Sequence, residues 1–256
     1  MKRLVIFRHA HSVRQQLEGE APEATCEGIG FSELPEVNTP LSQLGFEQRN
    51  VFADYVLNHV YPNGARPKIW LSSPYLRALQ TVATLKFGIP EMVEALAELN
   101  QGELTNVHPS LRENCNPEAY RKWKDNPYYG ALPGGESLHE VFQRVWQELA
   151  SRRFTSQDMA IACHEKVMWL IRQGLEGIPV TALCAAKSVR DEGQLLKNCS
   201  VLIYSDTVPQ GEVVIPDTGD HFASRYKGSP FRFFSIVNPL HVPREDWDKA
   251  RVWREI

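Results

Sequence analysis

Leu4-Val5-Ile6-Phe7-Arg8-His9-Ala10-His11-Ser12 opens the chain with four apolar residues and then, abruptly, a cation and an imidazole. An unbroken apolar run of this length suits a strand buried on both faces of a parallel sheet. Open α/β sheets place their ligand crevice at the carboxyl ends of such strands, where Arg8 and His9 would sit. The plainer reading is a strand that simply ends in solvated polar residues. The remainder of the chain decides between them.

The chain has 256 residues, 43% hydrophobic and 23% charged, and a net charge of -3. That is ample for one domain with a substantial core. The charge leaves no footprint for nucleic acid or an anionic membrane, so a small anionic substrate would need local positive charge. Cys26, Cys115, Cys163, Cys184 and Cys199 are widely spaced and odd in number. With no CxxC pair, they argue against both a zinc site and a disulfide framework. Lys2-Arg3 before four apolar residues is too short for a signal peptide, and no apolar stretch is long enough to cross a membrane. A cytoplasmic protein is expected. Homo-oligomer formation is left open.

Periodicity then orders the chain. Residues 16–40, rich in Glu, Gly and Pro, read as a loop at the rim of any site beyond the first strand. Ser42 is placed to cap a helix carrying Val51, Phe52, Tyr55, Val56 and Val60 on one face. Lys68-Ile69-Trp70-Leu71 reads as a second strand, after which Ser73 and Pro74 suit the start of a helix. A weaker strand is expected at 92–96. Between 99 and 135 the pattern breaks into Asn, Pro, Tyr and Trp, as in an inserted lid with a short helix at 118–124. Trp123, Tyr128 and Tyr129 would either line that cap or pack inside it, and Arg121, Lys122 and Lys124 would form a solvated face.

Ser137-Leu138-His139-Glu140 has the form of a capping box opening a helix with an apolar stripe from Leu138 to Leu149. Residues 159–163 read as a buried strand ending at His164, followed by a helix over 167–175. Residues 198–204 and 212–215 read as late strands joined by a turn. The tail, 217–256, is aromatic and basic without clean periodicity. Alternating strands and helices of this kind predict a three-layer α/β/α sandwich with a mostly parallel central sheet. The whole chain, 1–256, would form one domain with an inserted lid at about 99–135 and a C-terminal tail at about 217–256.

Three apolar strands thus end in Arg8-His9, in Ser72-Ser73 with Arg77 one turn later, and in His164. In a parallel sheet these ends share one edge. Two imidazoles and two guanidinium groups together are unfavourable unless an anion lies between them. Arginine forks match phosphate oxygens in pairs, so the convergence favours a phosphate site. His11 beside His9 invites a metal reading, but two histidines without carboxylate partners rarely suffice.

These residues resemble the histidine phosphatase superfamily, the phosphoglycerate mutase-like family. The opening stretch looks like its "RHG" signature, and Leu41-Ser42-Gln43-Leu44-Gly45 with Gln48 is similar to its "LTxxGxxQ" segment. Ser72-Ser73-Pro74-Tyr75-Leu76-Arg77-Ala78-Leu79-Gln80-Thr81 matches its "SSPxxRAxQT" block almost letter for letter. Leu96-Ala97-Glu98 with Gly102, Pro133-Gly134-Gly135-Glu136-Ser137, and Ala162-Cys163-His164 resemble its later blocks in order. The resemblance covers residues 1–204.

The resemblance implies a phosphatase acting on a small phosphomonoester through a phosphohistidine intermediate on His9. Arg8, Arg77 and His164 would clamp the phosphoryl oxygens, with Ser12 and Gln15 beside them, and Glu98 would exchange protons with the leaving and attacking oxygens. The only partner implied is a phosphorylated small molecule. No metal or other cofactor is needed, because side chains supply the cations. Five positions depart from the pattern. Ala10 replaces the usual Gly. Gln15 stands where Asn is common. Glu165 replaces a Gly, and must point away or pair with a cation such as Lys166. Leu104 and Asn106 reshape the loop after Glu98, so Glu94 and Glu103 compete with it as the acid. The alternatives are a phosphoglycerate-type mutase, disfavoured by the short segment between Thr81 and Leu96, and a non-catalytic module that binds a phosphorylated ligand.

Overall fold

A computed structural model describes residues 2–19, 35–154, 156–186, 196–210, 212–215 and 229–256. Among these residues eight strands form one sheet, in the order β3-β2-β4-β1-β5-β7-β8-β6. They are β1 (Arg3–Arg8), β2 (Ile69–Ser72), β3 (Glu91–Met92), β4 (Asp158–Cys163), β5 (Val201–Ser205), β6 (Val213–Ile215), β7 (Phe233–Val237) and β8 (Val252–Glu255). The half from β3 to β1 is parallel throughout. From β1 outwards the β5, β7 and β8 pairings are antiparallel, and β8–β6 is parallel again. Four parallel pairings against three make the sheet mostly parallel, as expected.

Alternation along β1 builds the layers. Leu4 and Ile6 enter a core with Val141, Val145 and Leu149 of α6 (Leu138–Ser151) and Val167 and Ile171 of α7 (Glu165–Glu176). Val5 and Phe7 enter a second core, with Phe52 of α2 (Gln43–Tyr55) and Val82 of α3 (Leu76–Val82). A strand between two such helical layers must be apolar on both faces, and β1 is so from Leu4 to Phe7.

The caps follow the sequence. Gly45 N–H donates to Ser42 Oγ at 3.1 Å, and Ser137 and Glu140 exchange the two bonds of a capping box. Gly45 has a second role. A Cβ there would lie 1.9 Å from the His11 carbonyl oxygen, so glycine lets α2 lean directly on the turn that follows β1.

Several elements differ from expectation. Residues 16–19 belong to a helix, α1 (Val13–Gly19), rather than to a loop, while 20–34 lie outside the described residues. α3 starts at Leu76, and Tyr75 rather than Ser73 precedes its first turn. The 92–96 strand is only the two residues of β3, followed by a tight turn at Glu94–Leu96. β5 and β6 are not neighbours, because β7 and β8 lie between them in the sheet. Both of those strands come from the tail that showed no periodicity, with a short helix, α8 (Val180–Ala186), before β5 and another, α9 (Trp247–Ala250), before β8.

Within 99–135 lie α4 (Arg112–Cys115) and α5 (Pro117–Asp125), the latter spanning the expected 118–124. Cys115 takes part in a disulfide, whereas the spacing of the cysteines argued against a disulfide framework. No described helix is long and apolar enough to cross a membrane.

Candidate active site

The parallel register brings three strand ends level. Arg8 pairs with Cys163 and Ser72 with Ala162, so His9, Ser73 and His164 follow as one layer at the sheet edge. The ladder continues one step further, with His9 N–H donating to Cys163 O at 3.2 Å and Ser73 N–H to Ala162 O at 2.8 Å.

His9 is held tightly. Its Nδ1 lies 2.7 Å from the Ala10 carbonyl oxygen. A carbonyl can only accept, so Nδ1 carries the proton and Nε2 keeps its lone pair. Ala10 N–H donates to Thr81 Oγ1 at 2.9 Å, and Asn198 Nδ2 donates to the His9 carbonyl at 3.0 Å. Burial, then Arg77, His164 and Arg8, depress the His9 pKa well below 6.5, so the ring is neutral at neutral pH.

A cavity of about 210 Å³ opens over His9. Arg8, Arg77, Glu98, Ser12 and Gln15 all line it, as predicted. His164 does not: it is fully buried, its ring 5.1 Å from that of His9, and it shares a 2.8 Å hydrogen bond between Nε2 and Ser73 Oγ. The Ser73 hydroxyl therefore serves His164 at 2.8 Å and also accepts the Tyr75 N–H, just before α3, at 3.3 Å. Burial followed by Arg77, Lys166 and Arg8 depresses the His164 pKa well below 6.5 as well.

Both predicted arginines already have protein acceptors. Arg8 donates from Nη1 to the Leu196 carbonyl and pairs through Nη2 with Glu165 at 2.9 Å. Arg77 donates to the backbone and carboxylate oxygens of Glu36, each at 3.1 Å, and lies over the Tyr75 ring. Glu165 thus pairs with Arg8, not with Lys166. Two buried polar atoms in this layer, Arg8 Nε and His164 Nδ1, have no hydrogen-bond partner among the described residues. Buried donors and acceptors in folded proteins are nearly always paired, so a polar ligand is the natural complement.

Of the three candidate acids, Glu94 and Glu103 are exposed and only Glu98 lines the cavity. Its Oε1 accepts the Leu99 N–H at 2.8 Å and lies 3.8 Å from Lys166 Nζ. Burial alone would raise the Glu98 pKa. Lys166, the Leu99 amide, Arg77 and His9 together outweigh it and lower it below 4.5.

Gln15 faces Asn198 rather than open space: the two amides exchange hydrogen bonds of 3.2 and 3.0 Å, and Gln15 Oε1 also accepts from Ser12 N–H. His11 turns aside to Ser42 Oγ at 2.8 Å. Among the described residues no group of three or more His, Cys, Asp or Glu is arranged to hold a metal ion. Trp123 packs on Leu104, Val107 and Leu132 within the inserted segment, whereas Tyr128 joins the main core and donates to Gln173 of α7, and Tyr129 is exposed. Arg14, Glu36, Arg112 and Asn198 enter the site without having been foreseen. Arg14 is five residues beyond His9 on the helix that was read as loop. Asn198 reaches the site only because β5 runs antiparallel to β1.

A family model of the histidine phosphatase superfamily (branch 1) matches residues 28–201, a range that begins after β1. No curated protein matches the chain in sequence. Among solved structures, the α-ribazole phosphatase of Shigella flexneri is similar, at 19% identity and TM-score 0.61 over 80% of this chain and 91% of that one. A mycobacterial glucosyl-3-phosphoglycerate phosphatase complexed with VO3 gives 20% identity and TM-score 0.59 over 80% and 93%. A structure described as mycobacterial hydrolase 2 gives 17% identity and TM-score 0.57 over 99% and 88%. At these identities the likeness is one of fold.

Proposed function

The chain belongs to the histidine phosphatase superfamily, branch 1, and on that premise we propose that it hydrolyses a small phosphomonoester through a phosphohistidine on His9. The observation that carries the reading is the His9 Nδ1 hydrogen bond to its neighbouring carbonyl, which leaves an unprotonated Nε2 in a cavity lined by arginines.

In the first step His9 Nε2 attacks phosphorus while the bond to the ester oxygen breaks, and Glu98 gives its proton to the departing alkoxide. In the second, Glu98 takes a proton from water as the water oxygen attacks phosphorus and the P–N bond breaks. Inorganic phosphate leaves and His9 returns to its neutral form. Arg8 and Arg77 hold the phosphoryl oxygens, exchanging carboxylate partners for phosphate, and the unpartnered Nδ1 of His164, behind the cavity wall, would supply a third contact once the bound phosphoryl group draws that wall inward. An alkoxide is a poor leaving group, which is why a proton donor is needed. No step requires a metal, and residues 99–135 act as a lid over the cavity.

Release of p-nitrophenol from p-nitrophenyl phosphate in the presence of a chelator tests the reading, and His9→Ala should abolish it. Failure to hydrolyse any of a panel of phosphomonoesters across about pH 5 to 8 would leave a ligand-binding module instead.

A further inference from the structure

The cavity wall carries charges that alternate outward from the phosphate end. Arg77 pairs with Glu36 at 3.1 Å, Glu36 lies 4.0 Å from Arg14, and Arg14 Nε holds Glu18 at 3.1 Å. Arg112, at the start of α4, comes next, and there the alternation stops. Its Nε donates to the Val107 carbonyl at 3.1 Å, but its terminal nitrogens make no hydrogen bond among the described residues. No carboxylate among them lies within 4.0 Å of it. Burial weakens its hold on its proton and Arg14 adds to that, while Glu18, Tyr120 and Glu36 oppose without pairing with it. A half-buried guanidinium beside another cation is unfavourable without an anion to complete it.

The cavity's composition and the place of Arg112 in it point the same way. Leu99 and Pro109 are its only apolar lining residues among the described ones, which disfavours an aromatic or lipid alcohol. Arg112 lines the same cavity as His9, so it faces the alcohol part of an ester bound there.

We infer that the alcohol part of the substrate carries a second anionic group, a carboxylate or a second phosphate, received by Arg112. This rests on the phosphatase reading above. The shared chemistry is a planar or tetrahedral oxyanion that the guanidinium fork can grip with two parallel bonds.

Four two-carbon esters test it: ethyl phosphate, phosphoglycolate, the bisphosphate of ethane-1,2-diol, and ethanolamine phosphate. One or both anionic esters should exceed ethyl phosphate in kcat/KM by roughly ten- to a hundredfold, the range of a charge-assisted hydrogen bond. The ester favoured tells carboxylate from phosphate. Arg112→Gln should bring that ratio down to about one, and Arg112→Lys should retain part of it. Competitive inhibition of the unmodified protein by phosphonoacetate against ethylphosphonate reads the same preference without chemistry or a variant, and phosphonoacetate should bind tighter. Equal turnover of the neutral and anionic esters, equal inhibition by the two phosphonates, or a preference that survives Arg112→Gln overturns this inference alone. Absence of turnover with every ester, p-nitrophenyl phosphate included, overturns it together with the phosphatase reading.

Discussion

Lys166 Nζ stands 3.8 Å from Glu98 Oε1, placing a cation on the first turn of α7 beside the only candidate acid that reaches the cavity. Arg77 and His9 act on Glu98 in the same direction, against the effect of burial. Glu98 is therefore ionised in the empty site, and it can hold a proton only once a phosphate dianion draws Lys166 and the arginines toward itself. Removing the cation with Lys166→Met favours the protonated form and raises the Glu98 pKa. The alkaline limb of the kcat/KM profile for alkyl phosphates should then move to higher pH. With p-nitrophenyl phosphate, whose leaving group needs no proton, the limb should stay in place. Parallel profiles for both esters would remove Glu98 from the role of acid.

Ser73→Ala takes away the partner of His164 Nε2 and leaves both ring nitrogens unpaired in a fully buried position. An unsatisfied buried polar atom costs about 1–3 kcal/mol. Chemical denaturation should show a loss of that size, with kcat/KM lower by roughly tenfold.

The two imidazoles make stability depend on pH. Both are held neutral well below the pKa of 6.5 that they regain on unfolding. As pH falls through 6.5 the unfolded chain takes up protons that the folded chain does not, so stability falls with pH over that range. Melting temperatures from about pH 8 to 5 should decline. Saturating inorganic phosphate should flatten the slope, because the dianion offsets the like charges that keep the rings neutral. An unchanged slope would mean that phosphate does not bind between them.

Behind the active layer, Arg172 and Glu176 form a doubly hydrogen-bonded pair at 2.9 and 2.8 Å, 1% and 0% exposed. Tyr204 of β5 donates to the same carboxylate. Glu176→Ala should cost about 3–5 kcal/mol in urea denaturation, because it strands a buried cation. Replacing both partners, as Arg172→Met with Glu176→Leu, should restore most of that loss.

The strands that carry the site were legible because their physics is local. β1, β2 and β4 are short apolar runs that stop at polar residues, and parallel pairing alone aligns their ends. The sequence left Glu94, Glu98 and Glu103 in competition, and only the fold shows that Glu98 alone of the three lines the cavity. What could not be read depended on distant partners. Phe233–Val237 has the composition of a strand, but only its place beside β5 makes it one. Glu165 had two cations within reach, and the choice of Arg8 over Lys166 follows from how the first turn of α7 faces β1. The hydroxyl of Ser73 meets both the Tyr75 N–H just before α3 and the buried imidazole of His164, and the second partner comes from the end of a strand 91 residues further along the chain.

β1 lies between β4 and β5, so its two neighbours, at Asp158–Cys163 and Val201–Ser205, are far along the chain. β1 precedes the other seven described strands, and neither of its edges can be paired before Asp158–Cys163 has been made. Such non-local closure makes for slow folding and leaves an apolar segment open to wrong associations. His9, the proposed nucleophile, therefore follows a strand whose second edge is secured only when Val201–Ser205 arrives, and Phe7, packed in the core next to Arg8, is a natural point for a chaperone to hold.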